Sequence, residues 1–153
     1  NGIAGFTFTK STNTVYVAGS LGIGTAGSGT AGEIRATNQI TAYYSDIRLK
    51  TDITPIENAL DKIMKISGVY YRSNDVAEYY GYTDKRKQVG VLAQQIEAVL
   101  PEIVVPAPFD IAEDGSSKSG ENYKTVHYEK LVALLIEAIK EQQKQIDEIK
   151  NRD

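Results

Sequence analysis

Apolar and polar positions alternate in short runs through residues 1–44. The clearest runs are residues 6–9 and 14–17, and Gly, Ser and Asn separate them. Alternation with a period of two predicts strands, and the separating residues predict turns. Each run offers only one or two large apolar residues, too few for one chain to bury a core. The segment is either a flexible linker or one third of an intertwined, β-rich trimeric stem, and the repeated alternation favours the stem.

Helical spacing replaces this alternation after residue 53. A helix start is predicted where Thr54 can cap, Pro55 suits the first turn and Glu57 completes a capping box. Apolar residues at helical spacing then predict a core-facing stripe, with Ser67-Gly68 as the stop. The stripe consists of Ile56, Leu60, Ile63, Met64 and Ile66.

Two strands and a second helix are predicted to follow. The strands lie at residues 69–72 and 88–92, and the helix at 93–100 ends before Pro101. Three tyrosines fall between the strands, at positions 79, 80 and 82. They could form a ligand-binding aromatic patch, but packing of a long hairpin loop or a subunit contact is favoured.

The C-terminal segment, about residues 128–150, predicts one helix with two characters. Its apolar seam steps by four and three residues through Tyr128, Val132, Leu135, Ile139, Gln142, Ile146 and Ile149. Before Ile139, Leu131, Leu134 and Ile136 widen the apolar face, so this half is predicted to pack on a globular body. Isoleucine at both seam positions favours three or four strands over two. A trimeric coiled coil is thus favoured over one helix docked on its own domain, with Glu137 and Glu141 as exposed partners of nearby lysines.

Composition narrows the functional classes. The 153 residues carry a formal net charge of -3 and contain no cysteine. Disulfides and thiolate zinc sites are therefore excluded, and the charge gives no electrostatic footprint for nucleic acid. No apolar run is long enough to span a bilayer, so no membrane or nucleic-acid partner, no metal and no cofactor is predicted. The start at Asn1-Gly2 is typical of a C-terminal piece of a longer protein.

A serine and a lysine lie five residues apart where the Gly-rich segment ends. A serine hydroxyl becomes a nucleophile when a base takes its proton, and a lysine withdrawn from water can be that base. Along a straight strand, Ser45 and Lys50 would point to opposite faces. They form a candidate dyad only if a turn, a bulge or a neighbouring chain brings them together. Otherwise this polar run is a solvated strand end.

Three blocks of sequence together resemble a known family. The blocks are residues 45–53, residues 90–95 with 100–102, and residues 126–128 leading into 131–135. They resemble the intramolecular chaperone auto-processing domain that ends bacteriophage tail spikes, tail fibres and neck appendages and also occurs in a membrane-tethered animal transcription factor. The resemblance covers Ser45 to about Lys150. It divides the chain into the end of a fibre stem, residues 1–44, and a chaperone domain, residues 45–153, in an overall α+β fold.

The resemblance implies a homotrimer that nucleates folding of the stem and then cuts itself off. Ser45 would be the nucleophile, Lys50 the general base, and the scissile bond would join Tyr44 to Ser45. Asp46 and Arg48 match the motif and are assigned supporting roles, with Asp46 orienting Lys50 and Arg48 pairing with a carboxylate or donating to the oxyanion. The partners implied are further copies of the chain and its own stem. The implied location is the virion, or the host cytoplasm during assembly.

Two other functions stay open from sequence. One is an uncleaved trimerisation or host-adhesion tip that stays on the virion, with exposed tyrosines for receptor contact. The other is a fragment of a membrane-tethered transcription factor, which the lack of a transmembrane or basic segment argues against. His127, the single histidine, could assist Ser45, although a structural role at a strand–helix junction is favoured.

Overall fold

The computed structural model describes residues 6–41 and 44–152, and the chain divides into two compact units, Asn1–Thr51 and Asp52–Asp153. In the first unit, β1 (Phe6–Thr9) and β2 (Thr14–Val17) form an antiparallel hairpin. The strands β3 (Leu21–Ile23) and β4 (Ile34–Ala36) form a parallel pair. The predicted strands are therefore confirmed.

The first unit buries little of its own apolar surface. No described side chain in residues 7–41 and 44–51 is fully buried. Leu21 and Ile34 lie opposite each other in the parallel pair, and both remain exposed together with Ile23. The few apolar residues of each strand are thus not covered within one chain, as their spacing predicted.

The second unit combines short helices with two small antiparallel sheets. Its elements are α1 (Ala59–Ile63), β5 (Val69–Tyr71), α2 (Asp75–Tyr79), β6 (Gln88–Gly90), α3 (Ala93–Glu97), β7 (Val104–Pro106), β8 (Lys124–Val126) and α4 (Leu131–Lys150). Short 3-10 helices lie at Pro101–Ile103, Pro108–Asp110 and Tyr128–Lys130. β5 pairs with β6, and β7 pairs with β8. The predicted mixture of helices and strands, including the long C-terminal helix, is confirmed.

One buried apolar cluster of the second unit lies between α1 and α4. Ala59, Leu134 and Ala138 are buried there, and partly buried side chains surround them: Ile56, Leu60, Ile63, Ile66 and Leu100. The predicted stripe is thus correct for four of its members. Met64 is an exception, because it lies in the turn after α1 and is exposed. Ile136 likewise remains exposed on α4, since Leu134 and Ala138 define the face that packs on α1.

The predicted capping box at residues 54–57 is wrong. α1 begins two residues after Glu57, directly after Asn58. The Asn58 backbone is left-handed, and its side chain forms no capping hydrogen bond. The Glu141 carboxylate of α4 accepts hydrogen bonds from the Ala59 and Leu60 N–H groups instead, at 2.8 Å each. A residue 82 positions from Ala59 therefore satisfies the first amides of this helix, and Glu141 is not simply an exposed charge.

The segment between β5 and β6 also differs from the prediction. It forms the short helix α2 rather than a long loop, because the Asn74 side chain accepts a hydrogen bond from the Ala77 N–H at 2.9 Å and caps it. Tyr80 packs on Phe109 and Tyr123, with ring centroids 4.6 and 5.5 Å away. Tyr82 also packs on Phe109, with the ring centroids 5.6 Å apart, so the predicted packing role holds for both tyrosines.

The hairpin of β5 and β6 contacts the beginning of the C-terminal helix through Gly90. The Tyr128 hydroxyl accepts a hydrogen bond from the Val91 N–H at 3.3 Å. A Cβ atom at position 90 would lie 2.8 Å from that hydroxyl and 3.2 Å from a ring carbon of Tyr71. A larger residue at position 90 would require the Tyr128 and Tyr71 side chains to shift, so glycine allows the second and third sequence blocks of the resemblance to approach closely here.

The helix α4 leaves the body after Glu141, and residues 142–150 are all exposed. Most of the predicted seam is exposed as well: Tyr128, Val132, Leu135, Ile139, Ile146 and Ile149. The helix therefore buries one face on α1 and leaves a second apolar face uncovered in the single chain. In the part of the chain that is described, no helix is both long and apolar enough to cross a membrane.

Candidate functional site

A short 3-10 helix, Ile47–Leu49, separates Ser45 from Lys50 and turns the chain. The Lys50 N–H donates to the Ile47 carbonyl oxygen at 3.1 Å, which closes the turn. The Lys50 ammonium then donates a hydrogen bond to the Ser45 hydroxyl oxygen at 3.3 Å. The turn that the sequence required to unite these side chains is therefore present.

Asp46 starts this turn as its N-cap. Its carboxylate accepts a hydrogen bond from the Arg48 N–H at 2.9 Å and a bidentate pair from the Arg48 guanidinium, at 3.0 Å from Nε and 2.6 Å from Nη2. The Arg48 side chain lowers the pKa of Asp46, and Asp46 in turn raises the pKa of Arg48. The two charges are thus balanced within the turn, next to Ser45 and Lys50.

The same local arrangement occurs a second time in the chain. At residues 84–86, Arg86 donates from its N–H and its guanidinium to Asp84, at 2.9, 3.0 and 2.7 Å. These hydrogen bonds between an aspartate and the arginine two residues later therefore also form without a Ser-Lys pair beside them. Asp46 and Arg48 therefore hold the turn between Ser45 and Lys50 in shape through their contacts with each other.

The proposed scissile bond lies on the solvent side of its unit. Tyr44, Ser45 and Lys50 are all exposed in the single chain. The Ser45 hydroxyl and the Lys50 ammonium are therefore both in contact with water in the single chain. Within residues 6–41 and 44–152 no group of three metal-ligating side chains could hold an ion.

His127 lies at the junction of β8 and the final helix. Its backbone N–H donates to the Ile103 carbonyl oxygen at 2.9 Å. Its imidazole Nδ1 lies 3.5 Å from a Glu129 carboxylate oxygen. The side chain is half-buried. These contacts fix the path of the chain between the β7–β8 sheet and α4, which is a structural use of this residue.

Sequence reasoning missed one buried carboxylate. Asp110 is only 2% exposed and accepts hydrogen bonds from the Ser117 hydroxyl at 2.7 Å, the Ser119 N–H at 2.8 Å and the Tyr123 N–H at 3.1 Å. The bond from Ser117 is the main cause that lowers the pKa of Asp110 to about 2. The sequence signal is an aspartate followed by a Ser- and Gly-rich loop, which is also typical of disorder.

Comparison with known proteins tests the resemblance. The model of the family described as "Chaperone of endosialidase" matches residues 45–105, a stretch that begins at Ser45 and contains the first two sequence blocks. This segment belongs to that family. The family model is itself named as a peptidase.

Relatives of known name support the same family. Over 108 residues, or 71% of this chain, it is 38% identical to the long tail fiber protein Gp37 of Enterobacteria phage K3 and to that of Enterobacteria phage T2. Over 100 residues, or 59% of the chain, it is 35% identical to the myelin regulatory factor homolog 1 of Caenorhabditis elegans. The chain spans only 8%, 7% and 11% of the length of these three proteins.

Proposed function

We propose that this chain is an intramolecular chaperone of a phage tail fibre or spike, which trimerises, nucleates folding of the stem and then releases itself by serine-dependent cleavage between Tyr44 and Ser45. The family match and the tail fiber relatives support the chaperone role. One observation carries the cleavage: the Lys50 ammonium donates to the Ser45 hydroxyl oxygen at 3.3 Å across a local turn.

The proposed reaction is acyl transfer to the Ser45 hydroxyl, followed by hydrolysis. The Ser45 hydroxyl oxygen attacks the Tyr44 carbonyl carbon while Lys50, in its neutral form, takes the hydroxyl proton. The Tyr44–Ser45 C–N bond then breaks, and the Ser45 nitrogen takes up a proton and becomes a new amino terminus. The ester between Tyr44 and the Ser45 oxygen is hydrolysed by water, which returns the hydroxyl and leaves a carboxylate on Tyr44.

Assembly is the step that makes the dyad active. A lysine serves as a base only where its surroundings favour the neutral amine, and both side chains are exposed in the single chain. Covering this turn by neighbouring chains would withdraw Lys50 from water and hold the Tyr44 carbonyl close to the Ser45 hydroxyl. Cleavage would thereby follow correct trimerisation.

The uncovered face of α4 supports the trimer. Ile139, Ile146 and Ile149 repeat at seam spacing and stay exposed, while Leu134 and Ala138 on another face of the helix pack on α1. Isoleucine at both seam positions favours three-stranded or larger bundles over two-stranded ones. A trimer of the second unit would set the register of three stems and raise their local concentration. This role requires no chemistry at Ser45.

The dyad is tested by replacing the base. Lys50→Gln is expected to slow cleavage at least about a hundredfold, because general-base assistance contributes about that much or more. The matched control is Lys65→Gln, since Lys65 is an exposed lysine that forms no salt bridge with another described residue. Cleavage is followed by denaturing electrophoresis of full-length chains, and trimer formation by native mass. Wild-type cleavage in the Lys50→Gln chain would rule Lys50 out as the base.

A further inference from the structure

The β5–β6 hairpin has one covered and one uncovered face. Tyr70 lies opposite Val89 across the two strands, and the two side chains are 71% and 72% exposed. Arg72 and Lys87 share their side of the hairpin, because alternate strand residues point to one face. The Lys87 ammonium lies 3.7 Å from the centroid of the Tyr70 ring. We call these four residues the cationic face.

Among the described residues, the cationic face has no partner of complementary charge. Neither Arg72 nor Lys87 forms a salt bridge with any carboxylate of the described residues. An isolated two-stranded hairpin is only marginally stable in water, and this one contacts Tyr128 at Gly90. The face offers apolar surface beside two cations, which suits a partner that carries carboxylates.

An exposed loop of the same unit has the opposite charge. Residues 111–122, here the acidic loop, contain Glu113, Asp114 and Glu121 but only one lysine, Lys118. Neither Glu113 nor Glu121 forms a salt bridge within the described part of the chain. The cationic face and the acidic loop are thus both unmatched in one molecule.

The acidic loop is held in shape from inside. The buried Asp110 carboxylate binds the Ser117 hydroxyl and the Ser119 and Tyr123 N–H groups. Two further backbone bonds brace the tip, from the Ala112 N–H to the Ser116 carbonyl oxygen at 2.8 Å and from the Lys118 N–H to the Asp110 carbonyl oxygen at 2.8 Å. A loop ordered in advance loses little entropy on binding.

We propose that the acidic loop of one copy docks on the cationic face of a second copy, with Glu113 or Glu121 reaching Lys87. Two different, complementary patches on one chain form a head-to-tail contact, and such contacts close into a ring when the rotation permits. Three copies around the α4 bundle form such a ring. The inference rests on the trimer of the proposed function and adds a second contact to the seam.

Charge reversal tests the contact in the full chain carrying Ser45→Ala, so that it stays whole. Lys87→Glu is expected to weaken trimer association about tenfold or more, since close charge pairs at interfaces couple by at least that amount. Lys65→Glu is the control with the same change in net charge. Combining Lys87→Glu with Glu113→Lys or Glu121→Lys is expected to restore association to within about threefold of the parent chain. Sedimentation equilibrium gives the association constants, and circular dichroism verifies folding.

Each outcome decides the proposal. The proposal is supported if Glu113→Lys or Glu121→Lys restores association of the Lys87→Glu chain and the control change Glu102→Lys does not. A reversal at Lys87 that acts like the control, or one that neither loop variant rescues, overturns it. If Lys87→Glu unfolds the chain, the loop variants Glu113→Lys and Glu121→Lys must still weaken association, and failure of both overturns the proposal. A trimer insensitive to these changes contradicts this inference alone, whereas a monomeric parent chain contradicts the proposed function as well.

Discussion

Aspartate side chains fix the backbone in the two segments proposed for cleavage and for contact between copies. Asp46 caps the 3-10 helix that joins Ser45 to Lys50, and Asp110 gathers three donors of the acidic loop. In both cases a carboxylate satisfies N–H groups that no regular element would use. Single residues therefore determine the shape of the segments proposed for cleavage and for contact between copies.

Replacing Asp110 should loosen the acidic loop. In Asp110→Asn, one amide oxygen has to replace two carboxylate oxygens as acceptor. The amide NH₂ group then faces hydrogen-bond donors of the loop instead of an acceptor. We expect a lower urea midpoint and faster proteolysis between residues 111 and 122 than in Glu113→Gln, an exposed control. Equal protease resistance of the Asp110→Asn and parent chains would contradict this account of the loop.

The effect of Asp110 should also depend on pH in a defined direction. Its pKa in the folded chain is about 2, below its ordinary value of 3.8. A depressed pKa contributes stability above the ordinary value, and that contribution disappears as pH falls through the folded pKa. The difference in urea midpoint between wild type and Asp110→Asn should therefore be constant near neutrality and shrink from about pH 4 to about pH 2.

Among the elements, α1 depends most on a distant partner. It has only five residues, and Asn58 does not cap it. The Glu141 carboxylate of α4 takes this role, and the bonds from Leu60 and Ala59 lower its pKa below 4.5. Glu141 is also the last residue of α4 to contact the body before the exposed end of the helix, so it joins the core to the segment proposed for the bundle.

Removal of this cap should be visible at two amides. In Glu141→Gln, the Ala59 and Leu60 N–H groups lose a charged acceptor, so their hydrogen exchange should become several-fold faster than in wild type. The control is Glu148→Gln, which changes an exposed carboxylate of the same helix. Because the pKa of Glu141 is lowered in the folded chain, wild type should lose this protection as pH falls below 4.5. Unchanged exchange at both amides would exclude the capping role.

Local sequence patterns predicted the elements better than their contacts. Alternation and helical spacing located the strands and α4, because those signals lie within a few neighbouring residues. The predicted start of α1 was wrong because its cap comes from Glu141. The predicted burial of Met64 was wrong because the helix ends before that residue. The need for a turn between Ser45 and Lys50 followed from strand geometry, whereas the roles of the two residues came from the family resemblance.

At the scale of the whole molecule, the described residues of a single chain leave several apolar and charged surfaces exposed, and three of them enter the proposals. They are the apolar strands of the first unit, the seam of α4 and the cationic face of the β5–β6 hairpin. Large exposed apolar surfaces usually mark interaction sites. The proposed homotrimer would cover all three at once, and an interleaved stem would be slow to form without a C-terminal nucleus. Removal of this C-terminal nucleus after folding would leave the stem kinetically trapped.

The most direct measurement is the mass of the purified wild-type chain beside Ser45→Ala, under denaturing and native conditions. The account predicts that wild type separates between Tyr44 and Ser45 into two fragments, that Ser45→Ala stays whole, and that Ser45→Ala assembles as a trimer. Wild type that remains intact as a trimer after long incubation would contradict self-cleavage and leave an uncleaved trimerisation tip.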